Sequence, residues 1–162
     1  MSAVAGDEPR PKLDELRLHR LLVAIDGSGN AELALRAAVT AARRDHAAIT
    51  LISVSPDIMS DSRFAFAVVD PTTIQRDADE GANRILRDAV DRLPDDMPVT
   101  TLFRRGKAGP EIVAAAGEQP YDAIILGARG LGRVHALMGS VSQYVMHHAK
   151  ASVFVAHAPS AC

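Results

Sequence analysis

Short apolar runs recur along this 162-residue chain, and between them apolar residues return every three or four positions. The clearest run is Leu21-Leu22-Val23-Ala24-Ile25, stopped by Asp26-Gly27-Ser28-Gly29. A continuous apolar run of that length reads as a strand buried on both faces, as a parallel sheet requires. Ala31, Leu35, Ala38 and Ala42 then form the inward stripe of a helix, with Ser28 or Asn30 available to cap it. The alternation repeats. Ile49 to Val54 gives strand two, and Ile74, Ala78, Ala82, Ile85, Ala89 and Leu93 give a helix closed by Pro94. Val99 to Arg104 is strand three, and Gly109-Pro110 opens a short helix through Ala116. Ala123 to Leu126, Ser140 to His148 and Ser152 to Ala156 follow as strand four, helix four and strand five. The pattern predicts an α/β fold with a single open, mostly parallel five-stranded sheet and helices on both faces.

Composition narrows what such a fold can do. Twenty-eight alanines make up much of the 48% apolar content, so the helices are expected to lie close on the sheet. Residues 1–19 carry Pro9, Pro11 and mixed charge without a period and read as a mobile extension, leaving 20–162 as one domain. A net charge of -2 offers no footprint for nucleic acid, and 4% aromatics offer no platforms for base stacking. Cys162 stands alone at the end of the chain, which excludes an internal disulfide and suits a reducing compartment. No cationic, apolar leader opens the sequence and no stretch nears the ~18 residues of a membrane helix. The expectation is a cytoplasmic protein without membrane insertion.

Ligands of open α/β sheets bind beyond the carboxyl ends of the strands, where the winding reverses. The two glycine-bearing strand ends are Asp26-Gly27-Ser28-Gly29 and the stretch from Gly127 to Gly139. Setting these strands side by side gives the order 3-2-1-4-5 and one crevice flanked by both loops. Gly127, Gly130, Gly132 and Gly139 precede Ser140 and a helix start, which describes a phosphate cradle with Arg129 and Arg133 as extra charge. A tight turn that uses glycine only for its backbone angles fits the same residues. A P-loop is excluded because Gly106-Lys107 lacks the upstream glycine, and no G-x-G-x-x-G follows strand one.

Taken together, Ile25-Asp26-Gly27-Ser28, Gly127-Ala128-Arg129-Gly130 and Gly139-Ser140-Val141-Ser142 resemble the universal stress protein family, in order and in structural context. The resemblance runs from about Arg20 to His157. It implies a sheet like that of the adenine nucleotide alpha hydrolases and a regulatory, stress-related role built on ATP or a related adenine nucleotide, with or without Mg²⁺. Carried over by position, Asp26 and the backbone near Ala24 and Val54 would hold adenine, while Gly127, Arg129, Gly130, Gly139, Ser140 and Val141 would contact ribose and phosphates. A homodimer through the last strand is also implied, with Val153, Phe154 and Val155 at the sheet edge. The chain departs from the pattern between Gly130 and Gly139, where eight residues stand in place of the family's usual nine. A nucleotide-free dimeric interaction module is therefore the alternative.

Other residues point less far. His147-His148 are adjacent on a helix, about 100° apart, and read as a solvated helix end rather than metal ligands. His135 lies in the glycine loop, and Asp26 also suits a turn or a phosphate-bound Mg²⁺. Ser28 is not in a nucleophile elbow, and no general base stands near the cradle, so at most slow ATP hydrolysis is expected. The stretch 55–72, with Phe64, Phe66, Val68 and Val69, suits a lid, a subunit contact or plain loop anchoring. A phosphotransfer receiver domain fails, because Asp26 has no acidic neighbour and Lys150 precedes the last strand.

Overall fold

The computed structural model describes residues 17–62, 68–128 and 139–158. Strand β1 (Arg20–Ala24) leads into helix α1 (Gly29–Asp45), β2 (Ala48–Ser55), α2 (Pro71–Asp91), β3 (Val99–Arg105), α3 (Ala108–Glu118), β4 (Ala123–Gly127), α4 (Ser140–His148) and β5 (Ser152–Ala156). The sheet order is β3-β2-β1-β4-β5, as the glycine placement suggests. Every pairing is parallel, so the expected "mostly parallel" sheet is wholly so among the described residues.

The period-2 alternation of strands sorts the core into two layers. Leu21 and Val23 of β1, Ile49 and Leu51 of β2, and Ile125 of β4 meet the stripe Ala31, Ala34, Leu35, Ala38 and Ala42 of α1, with Leu86 and Ala89 of α2. Leu22, Ile52, Ile124 and Leu126 face the other way, onto Ile112 and Ala115 of α3 and Val145 of α4. Small residues on α1 let it lie close on the sheet. A Cβ on Gly127 would stand 2.7 Å from the Asn30 carbonyl carbon, so the first turn of α1 rests on β4 where only glycine fits.

Local chemistry sets the helix ends. Ser28, not Asn30, caps α1 by accepting from the Ala31 N–H at 3.2 Å. At its far end His46 adopts a left-handed conformation, φ 57°, and its N–H returns to the Ala42 carbonyl. Helix α2 begins at Pro71 behind an Asp70 cap, which shortens the expected 55–72 connection at one end, while β2 shortens it at the other by running to Ser55. The inward face of α2 also differs from the expected stripe. Gln75, Ala82, Leu86 and Ala89 are buried, whereas Ile74 and Ala78 are only half covered. Upstream of β1, Leu18 is 8% exposed and its N–H donates to Asp45 at 3.1 Å. No helix among the described residues is long and apolar enough to cross a membrane.

Candidate functional site

The order β3-β2-β1-β4-β5 puts the reversal of winding between β1 and β4. After β1 the chain enters α1 on one face of the sheet, and after β4 it reaches α4 on the other. A crevice at their carboxyl ends follows from this geometry. It takes the form of a slot of about 90 Å³ walled by Ala24, Val54, Ile112, Leu126 and Val141, with Asp26 and Gly127 also lining it. Val54, Ala108 and Val141 also line a second cavity of about 960 Å³, bordered by Asp57, Ser60, Lys107, Ser140 and Tyr144. The two share a wall. A narrow aliphatic slot suits a flat ring, and the larger cavity beside it, with Asp57, Ser60, Lys107 and Ser140 on its border, has room for a hydrated, charged group.

Asp26 stands at the slot on a turn of its own making. Its Oδ1 accepts from the Ser28 N–H at 3.0 Å, while Gly27, φ 79°, supplies the left-handed bend. The carboxylate therefore does serve the turn, and it also faces the slot. Gly127 serves packing as well, since the approach of α1 alone demands glycine there. Ala24 and Val54 lie half-buried at the ends of β1 and β2 on the same face of the sheet. Of the expected site residues, Ala24, Asp26, Val54, Gly127, Ser140 and Val141 thus meet around one crevice. Gly139 caps α4 beside them. Arg129 and Gly130, with Gly132, Arg133 and His135, lie outside the described residues, as do Phe64 and Phe66.

The two ends of the glycine stretch are stitched together. The Gly139 N–H donates to the Ala128 carbonyl at 2.5 Å, and the buried Ser142 hydroxyl reaches the Ala128 and Gly139 carbonyls at 3.0 and 2.9 Å. The Ala128 N–H in turn donates to the Ala156 carbonyl on β5 at 2.7 Å. Helix α4 starts on this stitch with no side-chain cap and no acidic residue in its first turn. Its positive dipole end and first N–H groups stand at the edge of the larger cavity, which Ser140 and Val141 line.

Two features were hidden from sequence reasoning. Lys107, directly before α3, is an exposed cation on the wall of the larger cavity. Its sequence signal, Gly106-Lys107, counted only as a failed P-loop. Ser142 reads as a motif position, yet its hydroxyl closes the loop rather than meeting a ligand. At the far end of α4, His148 stacks on Tyr144 with ring centroids 4.0 Å apart, and its Nδ1 lies 2.8 Å from the Tyr144 carbonyl. Val68 and Val69, from the stretch read as a lid or contact, are exposed.

Comparison with known proteins agrees with this architecture. The model of the universal stress protein family matches residues 17–157. Universal stress protein YxiE of Bacillus subtilis is 28% identical over 134 residues, covering 78% of this chain and 90% of that protein. The solved structure of universal stress protein UspA from Lactobacillus plantarum superposes with a TM-score of 0.74 at 26% identity, covering 87% of this chain and 99% of that one. Two more distant structures share the fold. One is an Arabidopsis thaliana family member with AMP bound (TM-score 0.64, 15% identity, 88% and 93% covered), the other a universal stress protein in complex with cAMP (TM-score 0.55, 22% identity, 88% and 98% covered). The fold and crevice define a parallel α/β protein of the kind that holds a ligand at the reversal of its winding. Within that class, the chain belongs to the universal stress protein family.

Proposed function

We propose that this protein is a stress-related regulator that binds ATP or a related adenine nucleotide, with or without Mg²⁺, beyond the carboxyl ends of β1 and β4. The observation that carries the reading is the pair of adjacent spaces at the switch point, a narrow aliphatic slot and a larger cavity that share Val54, Ala108 and Val141 as a wall. Adenine would lie between Ala24, Val54, Leu126 and Val141, with Asp26 accepting from the exocyclic amine. The phosphates would meet the start of α4 at Gly139, Ser140 and Val141, with Lys107 lining the same cavity. Arg129 and Gly130 belong to the same set by their place in the family motif. The family members holding AMP and cAMP support an adenine nucleotide as the ligand class. Nucleotide-dependent change of partner contacts, with at most slow hydrolysis, is the proposed output. Such a role suits a cytoplasmic homodimer joined through β5, an edge strand among the described residues on which Phe154 is 46% exposed.

The alternative is a nucleotide-free dimeric module of the same fold. The size of the slot favours it, since about 90 Å³ is small beside the ~300–1,000 Å³ of usual ligand sites. One experiment separates the two. The purified protein is denatured and the supernatant assayed for adenine nucleotide by absorbance and mass, and the nucleotide-free protein is titrated with ATP with and without Mg²⁺. Released nucleotide or saturable binding is expected. Neither, from a folded dimer, would establish the alternative.

A further inference from the structure

Gln75 is a polar side chain on the inward face of α2, only 7% exposed. Its carboxamide is used at both ends. Oε1 accepts from the Ile58 N–H at 2.8 Å, while Nε2 donates to the Pro56 carbonyl at 3.0 Å and to Asp79 Oδ1 at 2.8 Å. The pairing with Pro56 and Ile58 imitates a neighbouring strand, gripping the chain just after β2 ends. Asp79, one turn along α2, also accepts from the Ser55 hydroxyl at 2.7 Å and pairs with the Arg105 guanidinium at the end of β3. The Gly106 N–H donates to the Ser55 carbonyl at 2.8 Å. The exits of β2 and β3 are therefore tied to α2 at one point.

Both exits go on to wall the larger cavity. Pro56, Asp57 and Ser60 lie on one side, and Gly106, Lys107 and Ala108 on another. From this geometry we infer that Gln75, seated on Asp79, is a positioning residue for the nucleotide cavity, fixing the 56–62 wall against the Lys107 side so that affinity depends on a side chain that touches no ligand. The inference rests on the nucleotide reading above. A buried carboxamide is an expensive way to fill space, since an apolar residue of equal size would pack without needing hydrogen-bond partners.

The test uses the full chain with Gln75→Met, which keeps the volume and removes both hydrogen-bonding ends, and Gln75→Glu, which keeps the acceptor but sets a carboxylate beside Asp79. AMP and ATP affinities are measured by calorimetry, alongside amide hydrogen exchange in the absence of nucleotide. The expected result is affinity weakened roughly tenfold in both variants, with exchange accelerated at Ile58 and through 56–62 while Leu22 and Ile124 of the central strands stay protected. Wild-type binding with unchanged affinity in both variants overturns the role of Gln75 and leaves the nucleotide reading standing. Exchange raised evenly across the sheet shows a merely structural role and overturns it too. Wild-type protein that binds neither nucleotide overturns both readings.

Discussion

Asp26 and Gly127 each answer to two demands, and separating them is a matter of single substitutions. Gly127 is pressed by the first turn of α1, 2.7 Å from where its Cβ would be. Gly127→Ala is expected to destabilise the protein by ~1–3 kcal/mol in urea unfolding, with no nucleotide present. An unchanged midpoint would return this glycine to a purely ligand-facing role. Asp26 is different, because its turn hydrogen bond survives in Asn while its charge does not. Asp26→Asn should leave the unfolding midpoint within ~0.5 kcal/mol and weaken ATP binding about tenfold; equal affinity would remove Asp26 from the adenine site. The D-G-S and G-S-V-S positions stood out in the sequence because they fall together, in order, at a strand end and a helix start, although each also serves a cap, a turn or close packing. Gln75 was not legible, since a glutamine beside an apolar stripe reads as solvent-facing until its partners at Pro56 and Ile58 are seen.

At the scale of elements, the alternation of apolar runs and helical stripes determined nearly everything, because parallel strands and their covering helices leave little freedom in pattern. Boundaries moved by a few residues: the Asp70 cap starts α2 at Pro71, and β2, β3, α3 and β4 each run past their expected ends. Ala128 and Gly139 are held together by the Ser142 hydroxyl and the Gly139 N–H. Ser142→Ala removes the hydroxyl from two buried carbonyls and is expected to cost ~1–3 kcal/mol in stability. Adding one residue between Gly130 and Gly139 lengthens the chain by up to ~3.5 Å without touching that stitch. The unfolding midpoint should hold while ATP affinity changes. A fall in stability with affinity unchanged would contradict this division of labour.

The whole molecule is tied down by carboxylates at its edges. Arg44 beside Asp45, helped by the Leu18 N–H, holds that carboxyl at about 2. The His19 and Arg20 N–H groups hold Asp122 below its ordinary value. Burial opposes ionisation of Asp79, but hydrogen bonds from Arg105, Ser55 and Gln75 outweigh it and its carboxyl also titrates low. Each contributes stability that is complete above the unfolded carboxylate value of about 4 and lost as pH falls. Thermal unfolding should therefore be nearly flat from pH 7 to 5, with the midpoint dropping between pH ~4 and ~2; a midpoint that rose there would contradict the assignment. At this scale the sheet order was legible from glycine placement, but the adjacent cavities were not, because a crevice depends on how far helices stand from the sheet. Whether that crevice holds an adenine nucleotide is the central question. Calorimetric titration of nucleotide-free protein with ATP, with and without Mg²⁺, addresses it most directly. Saturable binding at one site per chain, weakened by Asp26→Asn, is expected; a flat titration from folded, dimeric protein would contradict nucleotide binding at this crevice.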